Sequence, residues 1–164
     1  MANPTIATGF EPYGVLRRAN QYEAGSACYP GDLVALASDG QVDPATSAST
    51  VVLGVCLTYA SGAGVKIQVA DDPAQQFIVA ANSVSSVDTQ TDIGNLANIL
   101  AGTPSSSYKL SRQTLDPSSL VTTISAQLKL LGIEPRTNND FGANVKCIVS
   151  INAHQLGNNR SAGE

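Results

Sequence analysis

The chain has no tryptophan, one histidine and one methionine, and its five Tyr and three Phe make up only 5% of 164 residues. A core must therefore be built from Val, Ile, Leu and Ala. With 43% hydrophobic residues there is enough material for one ordinary domain. Sugar-binding surfaces rely on exposed aromatic platforms, and eight scattered rings leave few for that purpose. Charge is scarcer still. Asp, Glu, Lys and Arg total 13%, against about a quarter in a typical soluble domain. The surface must then be largely Ser, Thr, Asn, Gln, Gly and Ala, and covering such a skin strips few charges of water. That suits a subunit packed among others; the plainer alternative is a weakly charged globule. Disorder usually comes with high net charge and few β-branched residues, and this sequence has neither property.

Nine basic residues against thirteen acidic ones give a net charge of −4. No cationic run exceeds Arg17-Arg18, so the converging charges that phosphate recognition needs are missing, and no nucleic-acid partner is expected. Met1 to Ile6 shows no basic segment leading into an apolar one, which argues against a signal peptide. The longest apolar run, around Val51 to Ala60, is too short to cross a bilayer as a helix, so no membrane partner is expected either.

Chemistry is equally sparse. Cys28, Cys56 and Cys147 are odd in number and far apart, which fits free thiols in a reducing compartment better than disulfides or a metal site. Cys56 and Cys147 fall in apolar alternating segments and should pack as small hydrophobes. Cys28 falls in a loop and is the best candidate for a reactive thiol, though nothing near it lowers its pKa. His154, in Asn152-Ala153-His154, has no catalytic company and reads as a strand-end side chain bonded to a neighbouring backbone or subunit. Asp71-Asp72 runs directly into Pro73, which is turn chemistry before it is a cation site. Gly62-Ala63-Gly64 joins two strand-like segments and lacks the Lys and following helix of a phosphate loop. The expectation is a protein with no catalytic residues, no metal and no cofactor: not an enzyme.

Alternation of apolar residues predicts an all-β, mainly antiparallel fold, a small barrel or sandwich with long polar loops. Leu33–Ala37 is followed by Ser38-Asp39-Gly40, a hairpin signal. Val51, Leu53, Val55, Leu57 and Tyr59 alternate with Val52, Gly54, Cys56 and Thr58, as in a strand packed on both faces. Residues 65–69, 77–81 and 145–151 read as further strands, with Ser61-Gly62-Ala63-Gly64 as a turn. Ile93, Leu96 and Leu100 have helical spacing, suggesting a packed loop with one helical turn over 82–107. Residues 117–125 fit either a capped helix or a strand, and strand is preferred from about Ala126. Residues 1–30, with Pro4, Pro12 and Pro30 and no period of either kind, read as an extended N-terminal arm. They precede a single β-rich domain over 31–156 and a flexible tail over 157–164.

Four stretches, in this order, carry a resemblance: Gly9-Phe10-Glu11-Pro12; Val52-Leu53-Gly54-Val55 with Val65 to Val69, Asp72-Pro73 and Phe77; Asp92-Ile93-Gly94-Asn95-Leu96-Ala97-Asn98-Ile99 with Thr114-Leu115-Asp116; and Leu128-Lys129-Leu130-Leu131-Gly132-Ile133 with Asn139 and Val149 to Gln155. The chain resembles the phage capsid decoration, or cement, proteins; Arg112-Gln113 depart from the smaller residues expected before Thr114. The resemblance implies a virion structural protein, made in the host cytoplasm, that binds the outer surface of the major capsid protein shell and also its own copies as a dimer or trimer. It implies no catalytic residues. Phe10, Pro12, Tyr13 and Tyr22 are the candidate capsid contacts, as rigid anchors on the arm. A head-fibre base or tail-tube protein is the alternative virion component.

Overall fold

The computed structural model describes residue 3 and residues 7–120 and 126–157. Among them the chain forms strands β1 (Glu11–Tyr13), β2 (Asn20–Glu23), β3 (Leu33–Leu36), β4 (Val42–Pro44), β5 (Gly54–Cys56) and β6 (Lys66–Ala70). These are followed by β7 (Gln76–Ala80), β8 (Leu96–Ala97), β9 (Ile99–Leu100), β10 (Thr114–Leu115), β11 (Leu128–Ile133) and β12 (Lys146–Ile151). One sheet has the order β1-β7-β12-β11-β8 and the other β2-β6-β5-β3-β4, with β9 and β10 as a separate ribbon. Every strand pair is antiparallel, so the expected fold class holds, as a sandwich rather than a closed barrel.

Two apolar cores follow from the alternation. The main core packs Phe77, Val79, Leu128, Leu130, Cys147 and Val149 of the first sheet with Leu33, Val55 and Ala70 of the second. The opposite face of the second sheet is not left to solvent. It curls around Val34, Cys56, Ile67 and Val69, joined by Ala24, Cys28, Leu53 and Ala60. A single parallel bridge from Ala24 to Val42 ties its two outer strands at one end and stops short of closing a barrel. Burial on both faces is why these strands lack polar residues at alternate positions.

The alternation slips once. Leu53 and Cys56 both enter the smaller core, because Gly54 pairs with Val34 while the Leu53 N–H also donates to the Val34 carbonyl. Glycine is required there: a Cβ on Gly54 would stand 2.1 Å from the Ala70 carbonyl oxygen. The Asp39-Gly40 hairpin joins β3 to β4 as expected. The helical turn expected from the spacing of Ile93, Leu96 and Leu100 does not form: a 3-10 turn, Gln90–Asp92, precedes them, and Leu96 and Leu100 lie in β8 and β9. Asp116 caps a second 3-10 turn, Pro117–Ser119, by accepting from the Ser118 N–H. Residues 121–125, where helix and strand competed, and 158–164 of the expected tail lie outside the described residues.

The expectation of a separate arm over 1–30 needs correction. Residues 11–13 and 20–23 are strands, one in each sheet, and Phe10 is 2% exposed in the main core. Phe10 N–H donates to the Gly31 carbonyl, the Arg112 guanidinium donates to the Ala7 carbonyl, and Asn3 exchanges three hydrogen bonds with Asp140 and Ala143. Gly9 allows this close approach, since a Cβ there would lie 2.5 Å from the Gly31 oxygen.

Buried and half-buried carboxamides stand in for missing strands. Gln113 and Gln155 each accept from and donate to one residue of β3, Leu33 and Leu36 respectively. Gln127 accepts from Ile99 N–H and donates to the Thr46 and Ser49 carbonyls. A primary amide carries the same donor and acceptor as a peptide unit, so it satisfies a buried backbone that no strand reaches.

Candidate functional site: the corner between the sheets

The topology creates one unusual place. β1 pairs with β7 in the first sheet and β2 pairs with β6 in the second. The β1–β2 and β6–β7 connections must therefore cross between the sheets side by side. Gly14, at φ +76°, turns the first of them out of β1.

The two connections are fastened together by buried polar groups. Asp71 is fully buried, yet its carboxylate accepts from Arg18 Nε at 3.0 Å, Asn20 Nδ2 at 2.8 Å and Tyr22 Oη at 2.6 Å. Arg18 also donates to the Asp71 carbonyl. Buried Gln75 accepts from the Arg17 N–H at 2.9 Å and donates to the Tyr13 and Gln76 carbonyls. Burial alone would raise the Asp71 carboxyl; its donors Tyr22, Asn20 and Arg18 outweigh that and hold it below the ordinary carboxylate value. Tyr22 moves the other way, pushed up to about 12 by burial and then by its bond to Asp71.

These shifts fix the sign of the pH dependence. Asp71 contributes stability above its unfolded value, and this is lost as pH falls through the lower folded value. Tyr22 contributes stability that is complete below its ordinary value of 10 and lost as pH rises through about 12. Melting temperature measured from pH 8 to 12 should fall along the alkaline limb, and Tyr22→Phe should flatten that limb. An unchanged limb in the variant would contradict the clamp.

What the clamp holds out is apolar. Val15 is 85% exposed and Leu16 44%. They are the only adjacent pair among the exposed large hydrophobics of the described residues; Val84, Tyr108 and Leu156 stand singly, which is ordinary for a protein surface. Beside the pair is a notch of about 450 Å³ lined by Tyr13, Val15, Arg17, Ala74, Gln75 and Gln76.

Of the four candidate contacts, Phe10 is a core residue, and Tyr22 is a clamp residue packed against the smaller core. Tyr13 lines the notch, and Pro12 lines a second cavity of about 260 Å³ with Phe10, Pro30, Leu57 and Leu110. Val15 and Leu16 were not among the candidates. Their one signal in the sequence is an apolar pair between a glycine and two arginines, with no alternating partner.

Asp72 accepts from Ala74 N–H in a turn. No group of three or more His, Cys, Asp or Glu among the described residues is arranged to hold a metal. All three thiols are buried, Cys28 included, which corrects its reading as an open loop cysteine: its N–H and carbonyl pair with Ala60 and its side chain lies in the smaller core. Burial pushes Cys28 and Cys147 up to about 12 and Cys56 to about 11. A thiol reagent without denaturant should therefore modify none of the three within minutes, and all three in guanidinium; prompt native labelling of any one would refute this packing.

No protein-family model matches the chain, and no curated protein sequence matches it. Among the described residues, no helix is long and apolar enough to cross a membrane.

Proposed function

We propose that this chain is a structural protein of a phage particle, a decoration subunit that binds the outer surface of the capsid shell and stabilises it. The observation that carries the reading is the corner: a loop clamped by hydrogen bonds that presents to solvent Val15 and Leu16, the only adjacent pair of exposed large hydrophobics among the described residues. Holding these side chains in water is unfavourable; burying a fully exposed Val or Leu contributes about 1.5–3 kcal/mol, so Val15, 85% exposed, gains most of that on contact and Leu16, 44% exposed, less than half. The clamp means that little loop ordering is left to oppose docking. A surface with 13% charged residues supports the same reading, because little desolvation of charge accompanies contact around the loop. The sequence resemblance supplies the partner, the major capsid protein, and self-association as a dimer or trimer.

Within this proposal the contact is drawn from the corner rather than from an arm. Phe10 and Tyr22 are committed to the fold, so the corner loop, with Tyr13 beside it, takes the place of the free arm. Mixing the purified protein with bare heads of the phage that encodes it, then sedimenting the particles, tests the proposal. Saturable co-sedimentation in whole-number ratio to the capsid subunits is expected; recovery of all the protein in the supernatant would reject it.

A further inference from the structure

We propose that His154 makes the corner an acid-operated latch: protonation of its ring breaks the bond that seats it, turns it toward Asp71, and releases Arg18 and the Val15–Leu16 loop. As regulation of shell binding this rests on the reading above; as a property of the free protein it does not.

His154 is 4% exposed and sits on the segment that follows β12. That segment lies parallel to Val52, whose N–H donates to the Ala153 carbonyl and whose carbonyl accepts from Gln155 N–H. The His154 Nδ1 accepts from the Leu156 N–H at 3.0 Å. The neutral ring therefore carries its proton on Nε2. This Nε2 has no hydrogen-bond partner among the described residues, and the Asp71 main chain is near enough to act on the ring.

The next proton must go to Nδ1. There it converts the acceptor of the Leu156 N–H into a donor, so two N–H groups face each other and the seat is lost. The charged groups acting on the ring are Asp71 and Asp72 from the β6–β7 connection and Arg18 from the β1–β2 connection; Tyr22, from β2, donates to the Asp71 carboxylate. Val52, on the segment packed alongside, is apolar. An imidazolium leaving its seat thus meets the carboxylate that fastens Arg18 and competes for it.

Burial, with help from Arg18, holds the ring below its ordinary value of 6.5 against the pull of Asp71. A group whose folded value is lowered favours the closed state above its unfolded value, and that support is lost as pH falls through the folded value. The latch is closed at neutral pH and opens as the pH falls through this lowered value.

Because the chain has one histidine, a single imidazole resonance reports its titration by NMR. Amide protection factors, corrected for intrinsic exchange, report the loop. Between pH 7.5 and 5, protection at residues 17–22 should fall at least tenfold in step with the imidazole, while β7 and β12 stay unchanged. His154→Gln keeps an acceptor for Leu156 and cannot be charged, so its loop protection should stay flat. Asp71→Asn should show the loop released already at pH 7.5. Flat wild-type protection while His154 titrates, or the same fall in His154→Gln, overturns the latch. Should His154→Gln not fold, Asp71→Asn decides: wild-type loop protection at pH 7.5 overturns it as well. All of these readouts are taken on the free protein, so absence of shell binding leaves them unaffected.

Discussion

Phe10→Ala is expected to lower the unfolding free energy by about 3–5 kcal/mol, as removal of a fully packed phenylalanine usually does. Phe10 is 2% exposed and shares the main core with Leu33, Phe77 and Leu115. The chain on either side is fixed by backbone bonds and by the close Gly9–Gly31 approach, so the surroundings have little freedom to collapse into the cavity. Against a total stability of about 5–15 kcal/mol for a small domain, the urea midpoint should move far or the protein should fail to fold. A loss below about 1 kcal/mol, the scale of a mild surface or conservative change, would mean that residues 7–13 are the separable arm their composition suggests.

The second large effect concerns binding. Val15→Asp combined with Leu16→Asp should weaken attachment to capsid shells at least a hundredfold, about 2.8 kcal/mol at 1.4 kcal/mol per tenfold, while leaving the melting temperature within a degree or two. Neither side chain belongs to a core cluster, so the folded protein loses little by the change. In a covered contact, each carboxylate would lose its water without a partner. Val84→Asp, a single exposed apolar residue elsewhere, serves as the control and should bind normally. Equal binding by the double variant would remove the corner from the contact, whereas a large drop in melting temperature would show that the loop is part of the fold's own packing.

The strands legible in the sequence are those with branched residues at alternate positions. Segments 65–69, 77–81 and 145–151 became Lys66–Ala70, Gln76–Ala80 and Lys146–Ile151, within one residue. Even burial on both faces of the second sheet was visible, because Gly54 and Cys56 put small groups opposite larger ones. The lead-in was not legible. Glu11-Pro12-Tyr13 and Asn20-Gln21-Tyr22-Glu23 are short outer strands whose side chains are exposed or half-buried, so no alternating pattern marks them. Pro12 is tolerated because β1 is an outer strand, where no second neighbour needs its missing N–H.

Helical spacing misled for a physical reason. Ile93, Leu96 and Leu100 lie on a chain that kinks at Asn98, whose carbonyl accepts from Asp116 N–H and whose side chain accepts from Gln127 N–H. Two very short strands with a kink between them mimic a period near 3.6. The corner was hidden more deeply. Asp71 looks like a turn acid in sequence, and only the pairing of β1 with β7 and of β2 with β6 brings Arg18, Asn20 and Tyr22 to it across about fifty residues. Gln75, Gln113 and Gln127 likewise read as surface residues, since nothing local shows that a buried backbone lacks a partner.

The central claim, that this chain coats a capsid, is tested most directly by imaging purified heads of the encoding phage with and without it. The account predicts added density at regular lattice positions on the outer surface, with the Val15–Leu16 corner against the shell. Heads with identical exteriors in both preparations, or density confined to the tail or the interior, would contradict it.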